Sequence, residues 1–196
     1  MEKHADILIP TDIDGKVVTF FMDKNVHAEQ LIPLVINLIK RPKKFILGPV
    51  GSKYYKKTPF IWVHPYKFFH ENLTILTPQN LSGILHITKE FISKAKNICI
   101  IGDFLDTVLA NVEFKPAYNF ILSFSSIIKV ENSSAILFLS KNLHPKDKYS
   151  IVRKFSDYII DVSSSVIDDK LILSFKIYDI LNNKSYKFQI NPKKNI

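Results

Sequence analysis

Short, wholly apolar runs that alternate with amphipathic stretches constrain this chain more than any other feature. Ile98 to Ile101 and Ala135 to Leu139 carry no charge and are too short for a helix, so they read as strands buried on both faces. Tyr158 to Val162, interrupted only by Asp161, is of the same kind. Strands of this type need cover on both sides, and right-handed crossovers place helices there. The expected class is α/β, with a mostly parallel sheet and helices on both faces.

The other elements follow from local pattern. Lys16 to Met22 is β-branched and aromatic and follows Gly15, which predicts a first strand. Leu31, Leu34, Val35, Leu38 and Ile39 then recur at helical spacing, with Pro33 marking either a helix start or a kink. Phe45 to Gly48 and Phe60 to His64 read as short buried strands. Thr77 before Pro78 predicts a helix start, because threonine caps exposed N–H groups and proline tolerates the first helical position. Its inner face would be Leu81, Ile84, Leu85 and Phe91. Further helices are expected from Pro116, burying Phe120, Ile121, Phe124, Ile127 and Ile128, and from Pro145, burying Ile151, Val152 and Phe155. Near the end, Leu171, Leu173, Phe175 and Ile177 alternate with polar neighbours, as do Tyr186, Phe188 and Ile190 across a turn at Asn182 and Asn183. That period of two predicts a C-terminal antiparallel hairpin.

With 196 residues the chain can bury one substantial core, and no repeat, low-complexity tract or Gly/Ser linker divides it. Residues 1–196 therefore read as one domain. No segment has the ~18 consecutive apolar residues of a membrane span, and Glu2 and Asp6 stand where a secretory leader would be basic. A cytoplasmic protein without a membrane partner is expected. Cys99, the single cysteine, lies in an apolar run and reads as a core residue. The net charge of +9 favours anionic partners, but 25 of the 27 basic residues are lysine, and bidentate phosphate recognition prefers arginine.

At this point four segments become familiar together. "KTPFIWVH" at Lys57 to His64, "NLTILTPQNLSGI" at Asn72 to Ile84, "NICIIGDFLDTVL" at Asn97 to Leu109 and "SDYIIDV" at Ser156 to Val162 are patterns of strand and helix-start chemistry. In that order they resemble the archaeal KaiC-like branch of the RecA superfamily, in particular members that lack nucleotide motifs. The resemblance implies a RecA-like sheet, and the terminal hairpin suits it. It also implies that Asp103 matches the strand-terminal aspartate that orders a nucleotide's magnesium ion in active members. Asp106, three residues on, would supply a second oxygen ligand, or simply an acidic residue at a helix N-terminus.

The phosphate loop of that family should join the first strand to its helix as G-x-x-x-x-G-K followed by Ser or Thr, so that backbone N–H groups surround the phosphates. Here the connection is "DKNVHAE", Asp23 to Glu29, with no glycine and an acidic residue at each end. Lys24 alone cannot replace the cradle. Downstream, "GPVGSKYYKK" at Gly48 to Lys57 contains Gly-Ser-Lys with the wrong spacing and reads as a solvated basic loop. The six histidines show no metal-ligand spacing; only His64 stands at a strand end. Ser123 to Ser126 and Ser163 to Ser165 lack a nucleophile elbow, and the latter read as turn residues.

A basic and aromatic region is the candidate for nucleic-acid contact: Lys40, Arg41, Lys43 and Lys44, then Lys53, Lys56 and Lys57 around Tyr54 and Tyr55. Lysines there would meet phosphates and tyrosines would stack on unpaired bases. A solvated face is the competing description. The expected function is a non-catalytic RecA/KaiC-like binding or regulatory module without a cofactor, working through contact with another protein or with itself. The alternatives are a nucleic-acid accessory protein using residues 40–57 and a residual nucleotide-binding ATPase using Asp103.

Overall fold

The computed structural model describes residues 13–39, 43–48, 60–63, 75–94 and 98–190. Nine strands and five helices follow one another through them: β1 Val17–Met22, α1 Ala28–Leu38, β2 Lys43–Gly48, β3 Phe60–Val63 and β4 Ile75–Leu76, then α2 Leu81–Lys94, β5 Ile98–Gly102, α3 Leu105–Asn111 and α4 Phe114–Val130. The chain continues with β6 Ser134–Ser140, α5 Lys146–Phe155, β7 Tyr158–Ile167, β8 Lys170–Asp179 and β9 Lys184–Ile190.

The strands form one sheet in the order β4-β3-β2-β5-β6-β1-β7-β8-β9. β4 to β7 pair in parallel, whereas β8 and β9 are antiparallel additions at one end. The expected mostly parallel α/β sheet and its C-terminal antiparallel hairpin are both present.

Alternation along β1 divides the core in two. Val17 and Phe21 point to one face with Ile100, Leu137 and Ile159, where Ile84, Val108, Phe120, Phe124 and Ile151 from α2 to α5 cover them. Val18, Phe20 and Met22 point to the other, with Ile101, Phe138 and Ile160. Among the described residues α1 is the helix over that second face, through Leu31, Ile32 and Val35, and Phe175 and Ile177 of the hairpin extend its core. Cys99 lies fully buried there, as a core residue should.

A buried carboxylate aligns the centre of the sheet. Asp157, just before β7, accepts the Val17 N–H at Oδ2 (2.9 Å), while its own N–H donates to the Val17 carbonyl (2.8 Å). Its Oδ1 lies 3.0 Å from Lys129 Nζ, and the side chain is 7% exposed. A buried acceptor set this way holds the start of β1 against β7.

Several boundaries differ from the sequence reading for local reasons. α2 begins at Leu81 rather than after Thr77, because the Asn80 side chain accepts the Gly83 N–H at 3.0 Å and serves as the cap. α4 opens at Phe114 rather than Pro116, and Pro33 lies inside α1. Ser163 to Ser165 are not turn residues: they continue β7 and pair with Ser174, Leu173 and Ile172. The reversal comes later, at Asp168 and Asp169, whose φ values of 48° and 56° are both left-handed, as a tight turn between twisted strands requires.

Candidate functional site

The carboxyl ends of parallel strands form the edge where α/β sheets present ligands, since the loops leaving neighbouring strands splay apart there. At this edge β6 lies between β5 and β1, and β1 lies between β6 and β7. The residues that follow these strands therefore converge although they are far apart in sequence.

Asp103 follows β5. It is largely buried, and burial raises its carboxyl to about 7, with the negative charges of Asp106 and Glu29 adding to the rise. Near neutrality it is therefore partly protonated.

Asp106 lies in the first turn of α3 and is engaged by the loop after β6. Both carboxylate oxygens accept the Ser140 N–H (3.1 and 3.0 Å), Oδ2 accepts the Ser140 hydroxyl (2.6 Å), and Oδ1 lies 2.9 Å from His144 Nε2. His144 is only 3% exposed in its side chain. Tyr149 of α5 closes the loop from the other side: its hydroxyl accepts the Leu143 N–H (2.7 Å) and the His144 N–H (3.2 Å) and donates to the Ser140 carbonyl. Asp106 thus pins the β6–α5 loop. Among the described residues no three His, Cys, Asp or Glu side chains converge in a cation-holding cluster.

The β1–α1 connection is a tight polar turn. The Asp23 N–H donates to the Val162 carbonyl (2.9 Å), and the Val26 N–H donates back to the Asp23 carbonyl (2.9 Å). At the helix entrance Gln30 Oε1 accepts the His27 N–H (3.0 Å). Lys141, following β6, spans the gap: its Nζ lies 3.2 Å from Asp23 Oδ1 and 3.3 Å from Asp161 Oδ1. Its N–H donates to the Met22 carbonyl (2.6 Å), which anchors its backbone beside β1.

Two clefts meet at this ion pair. One, of about 710 Å³, runs along the β1–α1 turn past Lys24, His27 and Leu143. The other, of about 620 Å³, shares Asp23 and Lys141 and continues across the hairpin over Asp161, Ser163, Lys176 and Lys187.

The sequence-predicted residues fare unevenly. Asp103 and Asp106 share this edge, and only Asp106 is held by several donors. Lys43 and Lys44 belong to the backbone of β2. Lys40, Arg41, Lys53, Tyr54, Tyr55, Lys56 and Lys57 lie outside the described residues, as do His64 and most of Gly48 to Lys57. Sequence reasoning missed Lys141, Asp161, Ser140 and His144. Their single signal is position after a strand, or within one, because Asp23, Lys141 and Asp161 become neighbours only through the pairing of β6, β1 and β7.

No family model matches the chain, and no curated protein matches it in sequence. Solved structures do match in shape. A KaiC-like protein, PH0186, of Pyrococcus horikoshii OT3 superposes with a TM-score of 0.57 at 14% identity, covering 91% of this chain and 87% of its own. A second protein of that organism, PH0250, gives a TM-score of 0.59 at 13% identity, covering 86% of this chain and 90% of its own. The fold is KaiC-like. In keeping with the absence of a long apolar run, no helix among the described residues is long and apolar enough to cross a membrane.

Proposed function

We propose that residues 1–196 act as a single, non-catalytic RecA/KaiC-like domain, a cytoplasmic binding or regulatory module that works through protein–protein contacts. The observation that supports this reading is the occupied β1–α1 turn. A polyphosphate needs several free N–H groups and an uncommitted cation at that position. Here the His27 N–H is taken by Gln30, and Lys141 is shared between two carboxylates. Asp23 itself, and Glu29 and Asp103 nearby, would meet an incoming phosphate with negative charge or a carboxyl that titrates near neutrality. Breaking the Lys141 pairs to bind an anion would leave Asp23 and Asp161 without their cation.

The test is thermal unfolding with and without magnesium and ATP. A ligand that binds only the folded state at about 100 times its Kd adds about 2.7 kcal/mol of stability. The expected result is no shift. A saturable rise in Tm, or steady hydrolysis of ATP, would overturn the proposal in favour of a nucleotide-binding enzyme.

A further inference from the structure

The sheet ends on β9, whose seven residues are mostly exposed and which pairs with β8 alone among the described residues. Among the described residues nothing pairs with its outer edge, whose backbone donors and acceptors can recruit an additional strand. The side chains then decide what kind of strand can join. On one face the register sets Asp161, Lys176 and Lys187 in a row across β7, β8 and β9. Lys176 is held 4.5 Å above the Tyr178 ring, so Lys187 faces a like charge on its inner side. Lys187 has no ion pair among the described residues. Directly opposed like charges are unfavourable, and a carboxylate on the outer side relieves them.

The opposite face of β9 is apolar beyond Lys184, with Tyr186, Phe188 and Ile190. Phe188 stacks on Phe175 with ring centroids 5.0 Å apart and planes within 7°, and Tyr186 is 47% exposed. A strand added outside β9 would continue that row with apolar side chains while placing an acid beside Lys187. In a second copy of the chain, β9 paired antiparallel about Lys187 would set lysine against lysine, an unfavourable pairing.

We propose that β9 is a docking edge for an extended acidic segment of a partner protein, one that alternates Asp or Glu with apolar residues. This deepens the binding-module reading and rests on it, yet the two fail separately: a thermal shift with ATP sinks the module, whereas the peptide experiment bears on the edge alone.

The experiment is fluorescence anisotropy of the full chain with a labelled peptide alternating Glu with Val and Phe. Controls are the same peptide with Lys for Glu and two versions N-methylated on one or the other set of alternate residues. We expect the Glu peptide to bind at least about tenfold more tightly than the Lys peptide. The exposed change Lys187→Glu should reverse that preference, and Lys187→Gln should weaken it. One methylation pattern should abolish binding, because it removes the donors facing β9, and the other should leave it. No binding of the Glu peptide, equal binding by Lys187→Glu, or indifference to both methylation patterns would overturn the proposal. Concentration-dependent self-association abolished by Lys187→Glu would also overturn it, in favour of a second copy.

Discussion

Replacing Asp103 with Asn should make the protein more resistant to unfolding at alkaline pH and change it little in acid. Burial lifts the folded-state carboxyl from its ordinary value of 3.8 to about 7. The unfolded chain therefore releases this proton near the ordinary value, while the folded chain keeps it until near neutrality. Between those values the folded state holds more protons, so stability falls as pH rises through the window and the full penalty is present above it. A rise to about 7 corresponds to about 4 kcal/mol, at about 1.4 kcal/mol per pH unit. About 3 kcal/mol of this accrues between about pH 4.5 and about pH 8.5, because the unfolded carboxyl is already partly ionised at the lower value. Asn cannot ionise, so the variant escapes the loss. Urea unfolding followed by circular dichroism, on both proteins across that range, gives the difference directly. Any pH-independent effect of the substitution on local packing cancels from the slope. A difference that stays flat, or that shrinks as pH rises, would refute the claim that Asp103 is buried at a cost.

Asp157→Ala should be among the most damaging polar substitutions, since it strands the Val17 N–H in the core and takes the partner from Lys129; a loss of about 2–4 kcal/mol in urea unfolding is expected. Gly102→Ala places a methyl 2.7 Å from both Leu137 Cδ2 and the Phe104 ring, and Phe104 in turn packs against Phe120 and Phe124. Overpacking of that kind should cost about 1–3 kcal/mol, read as a lower urea midpoint with an unchanged slope.

Much of this protein was already written in short-range pattern. Apolar runs of strand length located β1, β5, β6 and β7, helical spacing located α1, α2, α4 and α5, and the period of two near the end located β8 and β9. Such signals survive because each depends on neighbours within a few residues. Other elements were not legible, among them the two-residue β4. The short helix α3 was hidden, its seven residues too few to show a repeat. The start of α2 turned on one side-chain bond from Asn80, which competes with an equally plausible Thr77 and Pro78. Ser163 to Ser165 looked like turn formers, and pairing with β8 overrode that preference.

The candidate site lies at the far end of the same distinction. By its sequence the chain showed that the β1–α1 connection has no glycine, and that Asp103 follows a buried strand. It carried no sign that Lys141 would fill the gap, that His144 and Ser140 would hold Asp106, or that Lys187 would stand across from Lys176. The Lys141 bridge comes from strand order and register, which bring residues more than a hundred positions apart into contact. Strand pairing is selected by the burial of two whole core faces at once, so no local stretch of sequence encodes it, and only the folded sheet decides which charges meet.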